Sequence, residues 1–243
     1  MISRPARLAP ALAGAALAFA VLGGSSAQET TDPAARLAAL EAKLTSLEHE
    51  IELLEDTKAI KRLQRAYGYY ADKKLSAEIR ELFATDATAE IGGLGVFVGK
   101  DRVGQLYDFL LGDGLSDGEL FNHMILQGVV HVAPDGNTAN GRWRAVIQLG
   151  EHGESAVWSE GPYENEYVKE NGVWKIKKLH WYATVTAPYD PGWHRAQIPM
   201  DGPSPELPPD GPPTEVYESY PSAYLPQFHY DNPVSGREAG GAP

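Results

Sequence analysis

Cysteine is absent from all 243 residues. No disulfide can brace the fold, and no thiolate can act as nucleophile or metal ligand. Positive charge is also scarce, 21 Lys and Arg against 33 Asp and Glu for a net −12. Nucleic acid and anionic membranes both require a basic footprint, so neither is expected as a partner. The chain has no Gly-x-Gly-x-x-Gly fingerprint, no Walker loop and no Gly-x-Ser-x-Gly elbow. Its histidines are scattered, with no His-x-x-x-His or Glu-x-x-His on a predicted helix. The expectation is therefore no cofactor and no metal. Long apolar runs are missing except for one of about a dozen residues, Ala11 to Leu22, which is short for a bilayer.

That run has the features of a secretory leader. Arg4 and Arg7 precede it, and the small residues Ser25 and Ala27 fit cleavage before Gln28. Residues 1–27 are read as a signal peptide and the mature protein as periplasmic. Removing Arg4 and Arg7 takes the net charge from −12 to −14. Residues 28–55 then carry Leu37, Leu40, Leu44, Leu47, Ile51 and Leu54, spaced 3, 4, 3, 4, 3. A heptad seam of this kind joins subunits, so a homo-oligomer is expected; the same stripe could instead lie on its own domain.

Residues 56–188 form the main domain. Its first helix, Asp56 to about Lys73, places Ile60, Leu63, Tyr67 and Tyr70 on one core-facing stripe, with Asp72 close in angle to Tyr67. Phenols and a carboxylate opening into an apolar space are suited to proton transfer. The plainer alternative is a tyrosine-rich core stripe with Asp72 at the surface. A second helix is predicted over Ser76 to Phe83, a hairpin pairing Ala89–Ile91 with Val96–Val98, and a third helix over Lys100 to Leu111. Strands follow at Asn122–Val132, Thr138–Leu149, Ala156–Val168 and Val173–Thr186, with Asp135-Gly136 and Asn171-Gly172 as hairpin turns. Helices followed by an antiparallel meander give an α+β fold, a curved sheet wrapped around the helices. Residues 189–243 are rich in proline, which excludes central strands. They also carry Trp193, Tyr217, Tyr220, Tyr224, Phe228 and Tyr230, so an arm packed across the domain or a neighbouring subunit is expected.

The order of helix, Tyr-x-x-Tyr-x-Asp, helix, Phe-Ala-x-Asp-Ala-Thr, Val-Gly-Lys, helix and meander with Trp174-Lys175-Ile176 resembles the SnoaL-like families. These belong to the cone-shaped nuclear transport factor two superfamily, with scytalone dehydratase, bile-acid dehydratase and ketosteroid isomerase as relatives. The resemblance covers roughly Leu54 to Tyr189. In the dehydratase branch a Tyr and an Asp five residues apart face a His from the first long strand; Tyr67, Asp72 and His123 match. Arg144 is the candidate from the next strand, where scytalone dehydratase has a second histidine. One branch resembling this chain includes a cofactor-independent lyase that releases formaldehyde from lignin-derived diarylpropane diols.

Tyr67, Asp72, His123 and Arg144 are thus the candidate catalytic residues. Tyr70, Trp143, Trp158, His180 and Tyr182 are the candidate substrate-binding ones, although Trp181, which alternates with His180 and Tyr182, could line the pocket instead. The expected function is a lyase acting on a hydrophobic aromatic alcohol by acid/base catalysis, through loss of water or retro-aldol release of formaldehyde. An isomerase or cyclase acting on a ketone, and a non-catalytic carrier of hydrophobic ligands, are the alternatives.

Overall fold

A computed structural model describes residues 32–240 of the chain. The expected leader and its cleavage site lie outside the described residues. The chain divides into two compact units, Met1–Leu44 and Thr45–Pro243. The described part of the first is the beginning of helix α1, Pro33–Asp72. Among the described residues no helix is long and apolar enough to cross a membrane.

In the second unit, α1 buries Ile60, Gln64, Tyr67, Gly68 and Ala71; of the expected stripe Ile60 and Tyr67 are buried, while Leu63 and Tyr70 are half-buried at its margin. Its end is set by Lys74, whose φ of 53° is left-handed, and Leu75 N–H closes back on the Tyr70 carbonyl at 2.9 Å. A non-glycine residue in that region costs on the order of 1 kcal/mol, which marks the stop as enforced by packing. Helix α2, Ser76–Glu81, and helix α3, Lys100–Leu111, bracket strands β1, Phe83–Ile91, and β2, Val96–Val98. The long strands β3, Glu119–Val132, β4, Thr138–Glu151, β5, Ser155–Glu170, and β6, Val173–Trp181, follow, and the short β7, Val185–Pro188, completes the sheet.

The sheet order is β2-β1-β6-β5-β4-β3, with β7 also paired to β5. Strands β3 to β6 form the expected antiparallel meander, whereas β1 runs parallel to β6 and makes the sheet mixed. The single last strand expected over Val173–Thr186 is in fact two. The chain leaves β6 at Tyr182 and rejoins β5 as β7, because a tight crossing intervenes at Gly161. A Cβ on Gly161 would stand 1.8 Å from the Tyr182 carbonyl oxygen, so only glycine admits this approach.

On the inner face the sheet packs against α1 and α3 around Phe83, Phe97, Leu106, Ile176 and Leu179. Trp143 belongs to this core. It lies flat against Gly128, where a Cβ would fall 2.1 Å from the ring, and its Nε1 donates to Tyr167 Oη at 2.8 Å. The outer face carries the C-terminal arm of the same chain. Val96 N–H bonds the Gly211 carbonyl, Tyr217 Oη accepts from Ala183 N–H at 2.7 Å, and Tyr182 Oη donates to Glu215 at 2.8 Å. Near the far end His229 sits 2.8 Å from Glu164, whose other oxygen pairs with Arg142.

Candidate functional site

The inner face of the sheet and the two long helices enclose a cavity of about 290 Å³. Its walls are mostly apolar: Ala71 from α1, Leu111 from α3, Phe121 from β3, Ile147 from β4 and Trp181 from β6. The mouth is closed on one side by Ile198 to Asp201 of the arm, laid over Gly92 and Gly93. A Cβ on Gly93 would lie 2.6 Å from the Asp201 carbonyl oxygen, so the strap seats closely because the turn has no side chain there.

Four polar side chains converge in this apolar space and form one hydrogen-bonded chain. Tyr107 Oη, from α3, donates to Tyr67 Oη on α1 at 3.0 Å. Tyr67 Oη lies 3.1 Å from Tyr163 Oη on β5. Tyr163 Oη in turn lies 3.0 Å from His123 Nε2 on β3. The three rings stand edge-on around Tyr67, with centroids 5.6 to 6.0 Å from those of His123, Tyr163 and Tyr107. Burial dominates their ionisation. It pushes the His123 imidazole down to about 4 and raises all three phenols above their ordinary 10, those of Tyr107 and Tyr163 well above. At neutral pH the site therefore presents a neutral imidazole able to take a proton and phenols able only to donate one.

Asp72 is placed differently from the other two residues of the expected trio. Its carboxylate accepts from the backbone N–H of His123, and it lines a shallow cleft between α1 and β3 with Tyr69 and Asn122 instead of the main cavity. Next to it, Gly68 brings the helix against the strand; a Cβ there would meet Ile125 Cγ1 at 2.9 Å and the His123 carbonyl at 3.0 Å. Asp72 and Gly68 thus fix the backbone from which the imidazole projects.

Of the other sequence candidates, Arg144 is exposed on the outer face, where it bonds Gln127 at 3.0 Å and pairs with Glu160. Trp143 is inward but sits in the core beyond the cavity lining. Tyr70 packs half-buried against the core, and Trp158 stacks on Tyr189 with centroids 6.2 Å apart; neither lines the cavity. His180 and Tyr182 lie on the outer face beneath the arm, stacked 3.8 Å apart, with Glu90 3.6 Å from His180 Nε2. It is Trp181, pointing the other way, that reaches the cavity, where its Nε1 donates to the Gly161 carbonyl at 3.3 Å. Tyr107 and Tyr163 are the members of the hydrogen-bonded chain that sequence reasoning missed, and it also missed Ser159 and Thr186, which line the cavity and bond each other at 2.8 Å. The signal for Tyr107 was its place one turn beyond Val103 on an amphipathic helix, and that for Tyr163 its odd-numbered register with Trp143. Among the described residues no group of three or more His, Asp or Glu could hold a metal ion.

A SnoaL-like domain family model matches residues 52–180. No protein of curated function matches the chain. Among solved structures, a Novosphingobium aromaticivorans protein named as a candidate scytalone dehydratase superposes with a TM-score of 0.52 at 20% identity, covering 64% of this chain and 97% of its own. The crystal structure of LinA gives 0.52 at 20% identity over 62% of this chain and 99% of its own. A hexachlorocyclohexane dehydrochlorinase, LinA type 3 from Novosphingobium barchaimii, gives 0.50 at 20% identity over 57% and 93%. At such identities these likenesses speak to the fold, a cone of the nuclear transport factor two kind.

Proposed function

For this chain, which belongs to the SnoaL-like family, we propose a cofactor-independent lyase that acts on a hydrophobic aromatic alcohol, in the periplasm after export. The observation that carries this reading is the hydrogen-bonded chain from Tyr107 through Tyr67 and Tyr163 to His123 Nε2 inside an apolar cavity. A neutral imidazole beside phenols that remain protonated is an acid/base pair working without an external charge. The mostly apolar lining favours a ring-bearing substrate, with the few polar groups fixing its hydroxyls.

On a phenolic diarylpropane diol the steps balance as follows. A phenol of the site protonates the departing benzylic hydroxyl, which leaves as water, and the resulting tyrosinate regains a proton, directly or through solvent, from the substrate's own phenolic O–H as the ring becomes a quinone methide. His123 then removes the proton of the primary alcohol. The carbon–carbon bond breaks, its electron pair flows into the quinone methide to restore the phenoxide, and formaldehyde leaves with a stilbene as the other product. The proton held by His123 returns to that phenoxide, directly or through solvent, so imidazole and phenols end in their starting states. For a substrate without a primary alcohol the same groups support simple water elimination, with His123 taking a carbon-bound proton. The phenols donate to the oxygen on which charge develops, a contribution largest where water is excluded. Asp72 acts here as a positioning residue, through the strand that carries His123.

The experiment is incubation of the purified protein with a panel of lignin-type diols and hydroxysteroids, with products read by mass spectrometry. Release of formaldehyde or loss of water from an aromatic alcohol supports the proposal. Positional isomers of a ketone without mass change would point to an isomerase, and tight binding without turnover to a carrier.

A further inference from the structure

Helix α1 carries a surface with no role in the cavity. Leu37, Leu40, Leu44, Leu47, Ile51 and Leu54 are all between 45% and 64% exposed, a continuous apolar stripe on a helix whose other faces are charged. A stripe of six exposed apolar side chains on one helix face calls for a partner. Its period is the heptad's, with Leu37, Leu44 and Ile51 at the first core position and Leu40, Leu47 and Leu54 at the second. The seam ends where Lys58 and Lys61 take the next two core positions, since ammonium groups cannot be buried there without a partner.

The flanking charges decide both the occupant and its direction. On one side of the seam stand Arg36, Lys43 and Glu50, and on the other Glu41, Glu48 and Glu55. When two copies run parallel and in register, each flank meets the other flank of its copy five residues on. Arg36 then faces Glu41, Lys43 faces Glu48, and only Glu50 against Glu55 repels. When two copies run antiparallel over the same seam, like flanks meet: Lys43 faces Glu50, but Glu41 faces Glu48, so attraction and repulsion cancel. Leucine throughout the second core position is what two-stranded seams carry, while the first position is leucine at 37 and 44 and isoleucine only at 51, so the flanking charges and not the core set the direction.

We propose that residues 37–54 of α1 pair in parallel, in register, with the same helix of a second copy of this chain. This stands independently of the proposed reaction, because no seam residue lines the cavity.

The absence of cysteine makes the test clean. In a parallel pair, residue 37 lies beside its own copy at a Cα separation that a disulfide tolerates. In an antiparallel pair it lies beside residue 54, about 25 Å away along the helix at 1.5 Å per residue. The purified full chain should sediment as a dimer. Leu37→Cys should convert on mild oxidation to a disulfide-linked dimer, and so should Leu54→Cys. An equimolar mixture of the two single variants, oxidised together, should give the two self-linked species and little of the mixed one. Leu44→Asp with Ile51→Asp should sediment as a monomer whose far-UV circular dichroism shows the domain still folded. The proposal is overturned by a monomeric parent, by a double variant of unchanged mass, or by cross-linking of residue 37 chiefly to residue 54.

Discussion

The carboxylate of Asp72 grips the backbone N–H of His123, while the imidazole of His123 reaches Tyr163 inside the cavity. The carboxylate therefore acts on where the histidine stands, and the phenols act on its proton. Two substitutions separate those roles. Asp72→Asn keeps an oxygen that accepts from the same N–H, so turnover should stay within several-fold of the parent. Asp72→Ala removes the acceptor from a half-buried donor, which costs about 1–3 kcal/mol of stability, and should lower turnover markedly. Steady-state kinetics of the pair decide the matter: an Asn variant as impaired as the Ala variant would show that the charge itself is required.

His123→Gln should lower turnover by about two to four orders of magnitude, the usual worth of a positioned base. In the parent, burial holds the imidazole down to about 4. The rate at low substrate should therefore stay level from neutral pH to about one unit above that value and fall below it as the base is protonated. A fall centred near the ordinary histidine value of about 6.5 would show that the active base is more solvated than His123.

The three phenols should rank by their place in the chain. Tyr67 Oη holds both neighbours, so Tyr67→Phe leaves two buried hydroxyls short of a partner and should cost about 1–3 kcal/mol in thermal or denaturant unfolding. Tyr107 is at the end, and Tyr107→Phe should be milder. Tyr163→Phe cuts the contact to His123 Nε2 and should reduce turnover most of the three. Equal activity in all three variants would reduce the phenols to cavity wall.

Acid should weaken the fold through the same histidine. Its proton affinity is ordinary in the unfolded chain, about 6.5, and depressed to about 4 in the native one. Between those values the unfolded state binds a proton that the fold excludes, so stability is fully present above the upper value and is lost as pH falls toward the lower. The difference corresponds to about 3 kcal/mol. His180, held down to about 3 by burial, acts in the same direction. Urea unfolding at stepped pH should show the decline, and His123→Asn should flatten part of it.

Gly68→Ala should cost roughly 1–3 kcal/mol, because a methyl group cannot enter the contact between α1 and the His123 backbone without moving one of them. The same shift should displace the imidazole, so a loss of turnover is expected alongside the lower melting temperature. Unchanged activity in a destabilised variant would show that the helix, and not the strand, gives way.

Much of the scaffold was legible in the chain. The stripe of Ile60 and Tyr67, the α3 span Lys100–Leu111 and the turns at Asp135-Gly136 and Asn171-Gly172 all follow from local period and turn chemistry. The parallel pairing of β1 with β6 was not, because it joins residues some ninety apart and leaves no local signature. Nor was the break at Tyr182, where Gly161 on the neighbouring strand, and nothing within the segment itself, makes room for the crossing.

For the site, sequence determined which residue types were at hand and which pairs could share a face. Strand alternation alone meant that Trp143 and Arg144 could not both turn inward, and that Trp181 would part company with His180 and Tyr182. Which of each pair faces inward depends on which side of the sheet the helices cover, and only the tertiary structure fixes that. It also brings Tyr107 and Tyr163 to Tyr67 from separate elements and sends Asp72 to a backbone amide instead of a side chain. Residue type and period are properties of the segment. Distance across a cavity belongs to the packing of several segments at once, and the proton chain is made of such distances.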